Sequence, residues 1–255
     1  MNLTFDTNIA EKYTSQSQKV RVLTEHWVQR EIYCPNCGNP KVEKYANNKP
    51  VADFYCAKCT EDFELKAGKG KIKNTVTAGA YSTMIERINS TTNPNFFFLA
   101  YLKSLSVDDF FVVPKHFFTP DLIKIRKPLT KSAQRANHVM SNILFSGIPK
   151  AGHIFYIENG IEIPKDEVLK KWKKTVFLKA ITKTTAKGWI LDIMNCIDSL
   201  NKKEFSLQDM YNFENDLAVL HPENKNIKPK IRQQLQFLRD KNYLTFTGRG
   251  TYQQN

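Results

Sequence analysis

The 255 residues are 41% hydrophobic and 25% charged, enough for roughly one or two globular domains and incompatible with a disordered or fibrous chain. The longest apolar run, Phe96 to Leu102, is far short of the roughly 20 residues that cross a bilayer, and Met1 to Asp6 lacks the basic start of a signal peptide; a soluble, intracellular protein with no membrane partner is expected. Lysine and arginine number 38 against 25 acidic residues, a formal charge of +13 spread over Lys66 to Lys73, Lys115 to Lys131, Lys165 to Lys179 and Lys225 to Arg232, which makes nucleic acid the leading partner of folded surfaces rather than of a basic tail.

Taken in chain order, Asn8 to Ile32 lacks glycine and proline and carries Ala10, Tyr13, Val20, Leu23, Trp27 and Val28, which predicts a leading helix or pair of helices. Four of the five cysteines follow as Cys34-Pro35-Asn36-Cys37 and Cys56-Ala57-Lys58-Cys59, a C-x2-C-x18-C-x2-C array. That spacing builds two knuckles of a zinc ribbon, whose four thiolates leave no open position on the metal and make it structural. Disulfides and a thioredoxin-like redox pair are the competing readings; an intracellular chain disfavours the first, and the second needs only one pair. Cys196, in an apolar helical stretch, reads as a buried core residue.

The second cysteine pair lies between two strand-like segments, Pro50 to Cys56 and Phe63 to Lys66. In an extended chain Glu64 and Lys66 share one face and Phe63 and Leu65 the other. With Asp53 on the paired strand, two carboxylates can hold Mg²⁺ beside a phosphodiester while the lysine orients or activates water. Asp followed by Glu-x-Lys is a weak pattern by itself in so charged a chain. It gains from the apolar frame of both strands, the basic field, and a zinc module able to fix the joining hairpin. Further on, Thr77 to Ile88 reads as a helix with Tyr81, Met84, Ile85 and Ile88 at helical spacing, and Phe96 to Leu102 and Phe110 to Val113 as buried strands. His116, His138 and His153 have no second histidine at metal-binding spacing and read as loop or core residues.

Leu169 to Lys187 is basic and poorly periodic, with Thr182, Thr184, Thr185 and Gly188 marking a linker, so the expected domains are 1–182 and 183–255. From Trp189 a helix carries Ile190, Ile193, Met194, Ile197 and Leu200 on one face. A Ser206-x-x-Asp209 capping pattern opens the next, with Met210, Phe213, Leu217 and Leu220 as core candidates. The third buries Ile227, Ile231, Leu235 and Leu238 and turns Lys228, Lys230, Arg232, Gln233, Gln236 and Arg239 outward, with Pro229 in its first turn. A hairpin with Arg249 in its glycine turn completes a winged helix. In that fold Arg and Gln of the third helix contact base edges in the major groove, while Lys228, Lys230 and Arg249 serve phosphates or the minor groove. A winged helix used for protein contacts is the bland alternative.

Over nearly its full length the chain resembles the DpnI family of restriction endonucleases. The resemblance is carried by Tyr33-Cys34-Pro35-Asn36-Cys37-Gly38-Asn39, Pro50-Val51-Ala52-Asp53-Phe54-Tyr55-Cys56, Glu64-Leu65-Lys66, Asn93-Pro94-Asn95-Phe96-Phe97-Phe98-Leu99 and Ile231-Arg232-Gln233-Gln234-Leu235-Gln236. It implies an α/β (α+β) nuclease domain of the PD-(D/E)xK class with an embedded zinc ribbon, followed by a winged helix. It also implies Mg²⁺-dependent double-strand cleavage at GATC with N6-methylated adenine, by a monomer of the bacterial cytoplasm, with both domains able to read double-stranded DNA. The family's catalytic positions fall on Asp53, Glu64 and Lys66 and its zinc ligands on Cys34, Cys37, Cys56 and Cys59. One departure is notable. Where the family places a tryptophan against the methylated bases, the segment Arg135-Ala136-Asn137-His138-Val139 places His138, whose imidazole offers a methyl group less apolar face than an indole. The rival reading is a zinc-ribbon and winged-helix DNA-binding regulator without activity, which has no use for Asp53, Glu64 and Lys66 on facing strands.

Overall fold

The computed structural model describes residues 1–46, 52–90, 92–130 and 137–255. The chain divides into two units, Met1–Ser146 with Ala151–Lys173 and Gly147–Lys150 with Lys174–Asn255. The first contains α1 (Gln16–Glu31), β1 (Glu43–Lys44), β2 (Phe54–Tyr55), β3 (Asp62–Lys69), β4 (Thr75–Ala80), α2 (Tyr81–Asn89), β5 (Asn95–Tyr101), β6 (Val107–Val113), β7 (Ile123–Ile125), β8 (Met140–Leu144), β9 (Ile154–Glu158), β10 (Ile161–Glu162) and most of α3 (Lys165–Thr175).

A mixed sheet of order β1-β2-β3-β5-β6-β9-β10 organises this unit. All seven residues of β5 are buried, as the unbroken apolar run Phe96 to Tyr101 requires of a strand covered on both faces. It runs parallel to β3 and antiparallel to β6. Phe97 stacks on Phe63 of β3 with ring centroids 4.5 Å apart, and Trp27 of α1 meets Phe110 of β6 edge-on at 5.3 Å. These contacts press α1 onto one sheet face and hold β3, which carries the candidate carboxylate–lysine pair, against the fully buried β5.

Several expectations are refined here. The leading segment is a 3-10 turn, Thr7–Ala10, capped by Asp6, followed by α1. Thr77 to Ile88 is not one helix: Thr75–Ala80 is β4, paired with β8 in a small sheet of order β4-β8-β7, and α2 starts only at Tyr81. The β-branched Thr75, Val76 and Thr77 prefer the pleated surface, and the helical spacing begins beyond them. The segment Leu169 to Lys187 is not a linker throughout. α3 continues to Thr175 because Val168 and Trp172, four apart, are fully buried beneath a coat of lysines. Pro50, Val51, Arg135 and Ala136 lie outside the described residues.

The second unit comprises α4 (Thr184–Leu200), β11 (Glu204–Ser206), α5 (Leu207–Tyr211), α6 (Glu214–Leu220), α7 (Ile227–Asp240), β12 (Leu244–Gly248) and β13 (Thr251–Gln254). Its three-stranded sheet has the order β11-β13-β12, the wing of a winged helix. Ser206 ends β11 and caps α5 in a full capping box with Asp209. Helix α4 begins at Thr184, five residues before the expected Trp189. The expected second helix is two short ones, and Leu220, an expected core residue, is exposed at the end of α6, where His221 and Pro222 stop the helix. Ile227, Ile231, Leu235 and Leu238 of α7 are buried as the periodicity requires, and so is Cys196.

Candidate functional site

The cysteine knuckles form one cluster. All four Sγ atoms lie within 4.8 Å of one another, with Cys34–Cys59 and Cys37–Cys56 both at 3.5 Å. Zn–S bonds of about 2.3 Å put the edges of a thiolate tetrahedron near 3.8 Å, so the four thiols can hold zinc. Each knuckle is a turn closed by backbone hydrogen bonds: Gly38 N–H and Thr60 N–H donate to Cys34 O and Cys56 O, each at 2.9 Å. Both turns need a left-handed residue, Gly38 at φ 73° and Thr60 at φ 58°. Burial pushes the Cys34 thiol up, while the N–H groups of Cys37 and Asn36 directed at its sulfur pull it down. A buried thiol provided with amide donors is a group prepared to be a thiolate beside a cation. Helix α3 clamps the first knuckle, with Trp172 Nε1 donating to Asn36 Oδ1 at 2.9 Å and Lys165 Nζ to Gly38 O at 3.0 Å.

From the second knuckle the chain runs directly into β3. β2 and β3 pair only through Phe54↔Phe63 and Tyr55↔Asp62. Asp53 is the next residue outward, its N–H donating to Phe63 O at 3.0 Å, and the same register sets it across from Glu64. There its carboxylate turns to the β3 edge and accepts the Leu65 N–H on Oδ2 at 2.7 Å. Asp53, Leu65 and Ala67 line a cleft of about 560 Å³ against the α1 residues Val20, Arg21 and Glu25. Glu64 and Lys66, alternating with Leu65, pair with each other at 2.5 Å, and Arg87 of α2 reaches the second oxygen of Glu64 at 3.0 Å.

Asp53 thus lies across from Glu64 at the start of β3 and lines the cleft with Leu65 and Ala67, while Glu64 and Lys66 alternate with those two along the strand and pair with each other and with Arg87. Burial raises the Asp53 carboxyl above the usual carboxylate range; the Leu65 N–H lowers it, Glu64 and Glu25 raise it, and Lys66 lowers it. Asp53 and Glu64 offer oxygen donors of the hard kind that Mg²⁺ takes, and Oδ1 of Asp53 has no hydrogen-bond partner among the described residues. Two further charged residues, Glu25 and Arg87, escaped the sequence reading. Glu25 is a buried carboxylate paired with Lys44 at 2.7 Å and Arg21 at 3.6 Å; its signal was an acid set between Leu23 and Trp27 on an amphipathic helix. Arg87 had none, since it meets Glu64 only through the tertiary fold.

His138 is partly buried just before β8, following the left-handed Asn137, and its carbonyl accepts the Leu129 N–H at 3.0 Å. The next carbonyl, of Val139, accepts the Tyr81 N–H at 3.0 Å. Helix α2 thus starts against the His138 segment and carries Arg87 to Glu64 near its other end.

In the second unit Lys228, Arg232, Gln233, Gln236 and Arg249 are exposed and Lys230 is partly so. Several are already oriented. Lys228 pairs with Glu214 at 3.1 Å, Lys230 donates to Gln233 at 2.8 Å, and Arg232 donates to the Tyr211 hydroxyl. Unforeseen in the sequence, His221 stacks on Trp189 with ring centroids 3.8 Å apart and pairs with Asp192 at 2.7 Å, fastening the loop that leads into α7. Among the described residues no helix is long and apolar enough to cross a membrane.

These features define a two-part protein: an α/β unit of nuclease type with a four-cysteine cluster able to hold zinc, followed by a helix-turn-helix unit with a basic outer face. Residues 1–181 match the family model DpnI, the Dam-replacing family, and residues 185–254 match its companion, the Dam-replacing HTH domain. The chain belongs to the DpnI (Dam-replacing) family, whose members are restriction endonucleases, and it carries that family's DNA-binding HTH domain.

Proposed function

We propose that this protein is a methyl-directed type II restriction endonuclease that makes Mg²⁺-dependent double-strand cuts in DNA at GATC sites carrying N6-methyladenine. The observation that supports the reading is Asp53 set across from Glu64 where β2 and β3 part, near enough for the charges of Glu64 and Lys66 to act on its carboxyl, in a chain of this family. Asp53 and Glu64 hold Mg²⁺. When bound, the ion supplies counter-charge to the phosphate in the transition state. Lys66, tethered to Glu64, orients and assists the attacking water. Cys34, Cys37, Cys56 and Cys59 hold a structural Zn²⁺ that keeps the β2–β3 hairpin in register. Lys228, Lys230, Arg232, Gln233, Gln236 and Arg249 form the DNA face of the winged helix, and His138 meets the methylated bases from the first unit. The protein works as a cytoplasmic monomer, with domains at 1–182 and 183–255.

The test is digestion of one plasmid prepared with and without adenine methylation at GATC, in Mg²⁺, by the parent, Asp53→Ala and His138→Trp. Cutting of the methylated form alone, reduced at least about 100-fold in Asp53→Ala, is expected. His138→Trp is expected to discriminate more strongly than the parent; equal discrimination removes His138 from the methyl contact. Binding without cutting by the parent transfers the protein to the DNA-binding regulators.

A further inference from the structure

Glu64 differs from the other carboxylates at the strand edge in how its charge is met. Among the described residues Asp53 accepts only a backbone N–H and feels Lys66 at longer range, and Glu25 is matched by Lys44 and Arg21. Glu64 is engaged on both oxygens, Oε1 by Lys66 and Oε2 by Arg87. All three side chains of this triad are partly buried, between 15 and 18% exposed, where charges are screened less than on an open surface. Lys66 lies two residues along the same strand and stays beside Glu64 whatever else binds. Arg87 comes from α2, and its guanidinium keeps its charge at every accessible pH, so only a competing cation or a competing anion relieves the contact.

We propose that Arg87 is a positioning residue that holds the Glu64 carboxylate as its counter-ion in the metal-free protein and competes with the divalent ion for it. The inference rests on the assignment of Glu64 to the metal above. Two effects of Arg87 oppose each other. Tethering Oε2 fixes the carboxylate rotamer and favours metal binding, but a fixed positive charge next to a doubly charged ion opposes it. The first is worth the ordering of one side chain; the second acts on both charges of the ion at short range in a partly buried site, and it dominates. Arg87 therefore raises the metal concentration the site requires, and its removal tightens metal binding instead of weakening it.

The probe is Mn²⁺ alone, titrated into the full zinc-loaded chain without DNA and followed by the loss of the free-ion electron paramagnetic resonance signal. Arg87→Gln is expected to bind Mn²⁺ about tenfold more tightly than the parent, ~1.4 kcal/mol. Arg87→Lys, which keeps the charge, should stay within about threefold of it. Damage to the fold can only weaken binding, so tightening separates competition from a merely structural role. If the glutamine variant does not fold, Arg87→Met, similar in length and uncharged, takes its place with the same expected tightening. Unchanged or weaker binding in a folded neutral variant overturns the inference. Glu64→Gln distinguishes this from a failure of the site itself. Mn²⁺ binding weakened at least about tenfold by Glu64→Gln but unmoved by Arg87→Gln removes Arg87 alone. Binding unaffected by Glu64→Gln removes the metal assignment and this inference with it.

Discussion

The two units hold their functional side chains in place by opposite means. In the first, Glu25, Glu64, Lys66 and Arg87 come from α1, β3 and α2 and Asp53 from the residue before β2, and they are held by long-range devices: a thiol cluster, a strand pair two residues long, and a parallel contact with β5. In the second, the basic face of α7 is set out by one helix whose period of 3.6 buries Ile227, Ile231, Leu235 and Leu238 and leaves Lys228, Arg232 and Gln236 outside. A face built on local periodicity tolerates the loss of any one tether. A strand edge built on distant tethers does not, and the two units should respond differently to single substitutions.

The largest expected effect follows from the thinnest support. β2 has only two residues, so the thiol cluster adds to a small set of backbone contacts, Asp53 N–H to Phe63 O and Tyr45 N–H to Asp53 O, on the Asp53 side of the hairpin. Cys56→Ala removes a buried ligand and should cost the first unit on the order of 5 kcal/mol, with loss of bound zinc and of cleavage. Metal analysis together with urea unfolding checks this. A folded Cys56→Ala protein that keeps parental stability and contains no zinc would show that the hairpin stands without the metal.

The same contrast explains what was legible in the sequence. The cysteine spacing, the run Phe96 to Tyr101 and the four inward positions of α7 are local signals, and the fold gathers the four cysteines, buries that run as a strand and buries the four helix positions, while Leu102 falls beyond the strand and is exposed. The Glu-x-Lys alternation put Glu64 and Lys66 side by side because two residues along a strand always share a face. Arg87 and Glu25 were hidden because tertiary packing alone brings α2 and α1 to the strand edge. Thr77 to Ala80 was misread as helix because its strand character is satisfied by β8, sixty or more residues away. The Leu169 stretch was misread because its lysines masked an apolar pair whose partners lie elsewhere.

A middle-sized effect tests how tightly the first unit is packed. His153 lies among Phe111 and Phe145, with ring centroids 5.6 and 5.7 Å away, and its Nε2 has no hydrogen-bond partner among the described residues. Burial holds its pKa down at about 4. The folded state thus binds the proton less readily than the unfolded chain. The stability this residue permits is present above the ordinary histidine value near 6.5 and is lost as pH falls from there to about 4. Acidification should remove about 3 kcal/mol through this group. His153→Phe should flatten that part of the profile, as read by urea unfolding at pH 7 and pH 4.5, and an unchanged slope would mean that the pocket opens to water on protonation.

The smallest effect belongs to the second unit. Asp209 completes the capping box of α5, accepting the Ser206 N–H at 2.7 Å, the Lys202 ammonium at 2.9 Å and the Ser206 hydroxyl at 2.9 Å, which hold its carboxyl down at about 2. With a folded pKa below the unfolded one, its contribution is present above the ordinary carboxylate value and fades as pH falls toward about 2. The Asp209 side chain is partly exposed, and water screens these contacts. Asp209→Ala should therefore lower Tm by only about 2 °C at pH 7. The difference from the parent should persist at pH 5 and narrow by pH 3, while DNA binding, proposed above to run through α7, stays near the parental level because the buried repeat, not the cap, sets that face. A large loss of DNA binding in this variant would show that the helix is held from its neighbours and would erase the contrast between the two units.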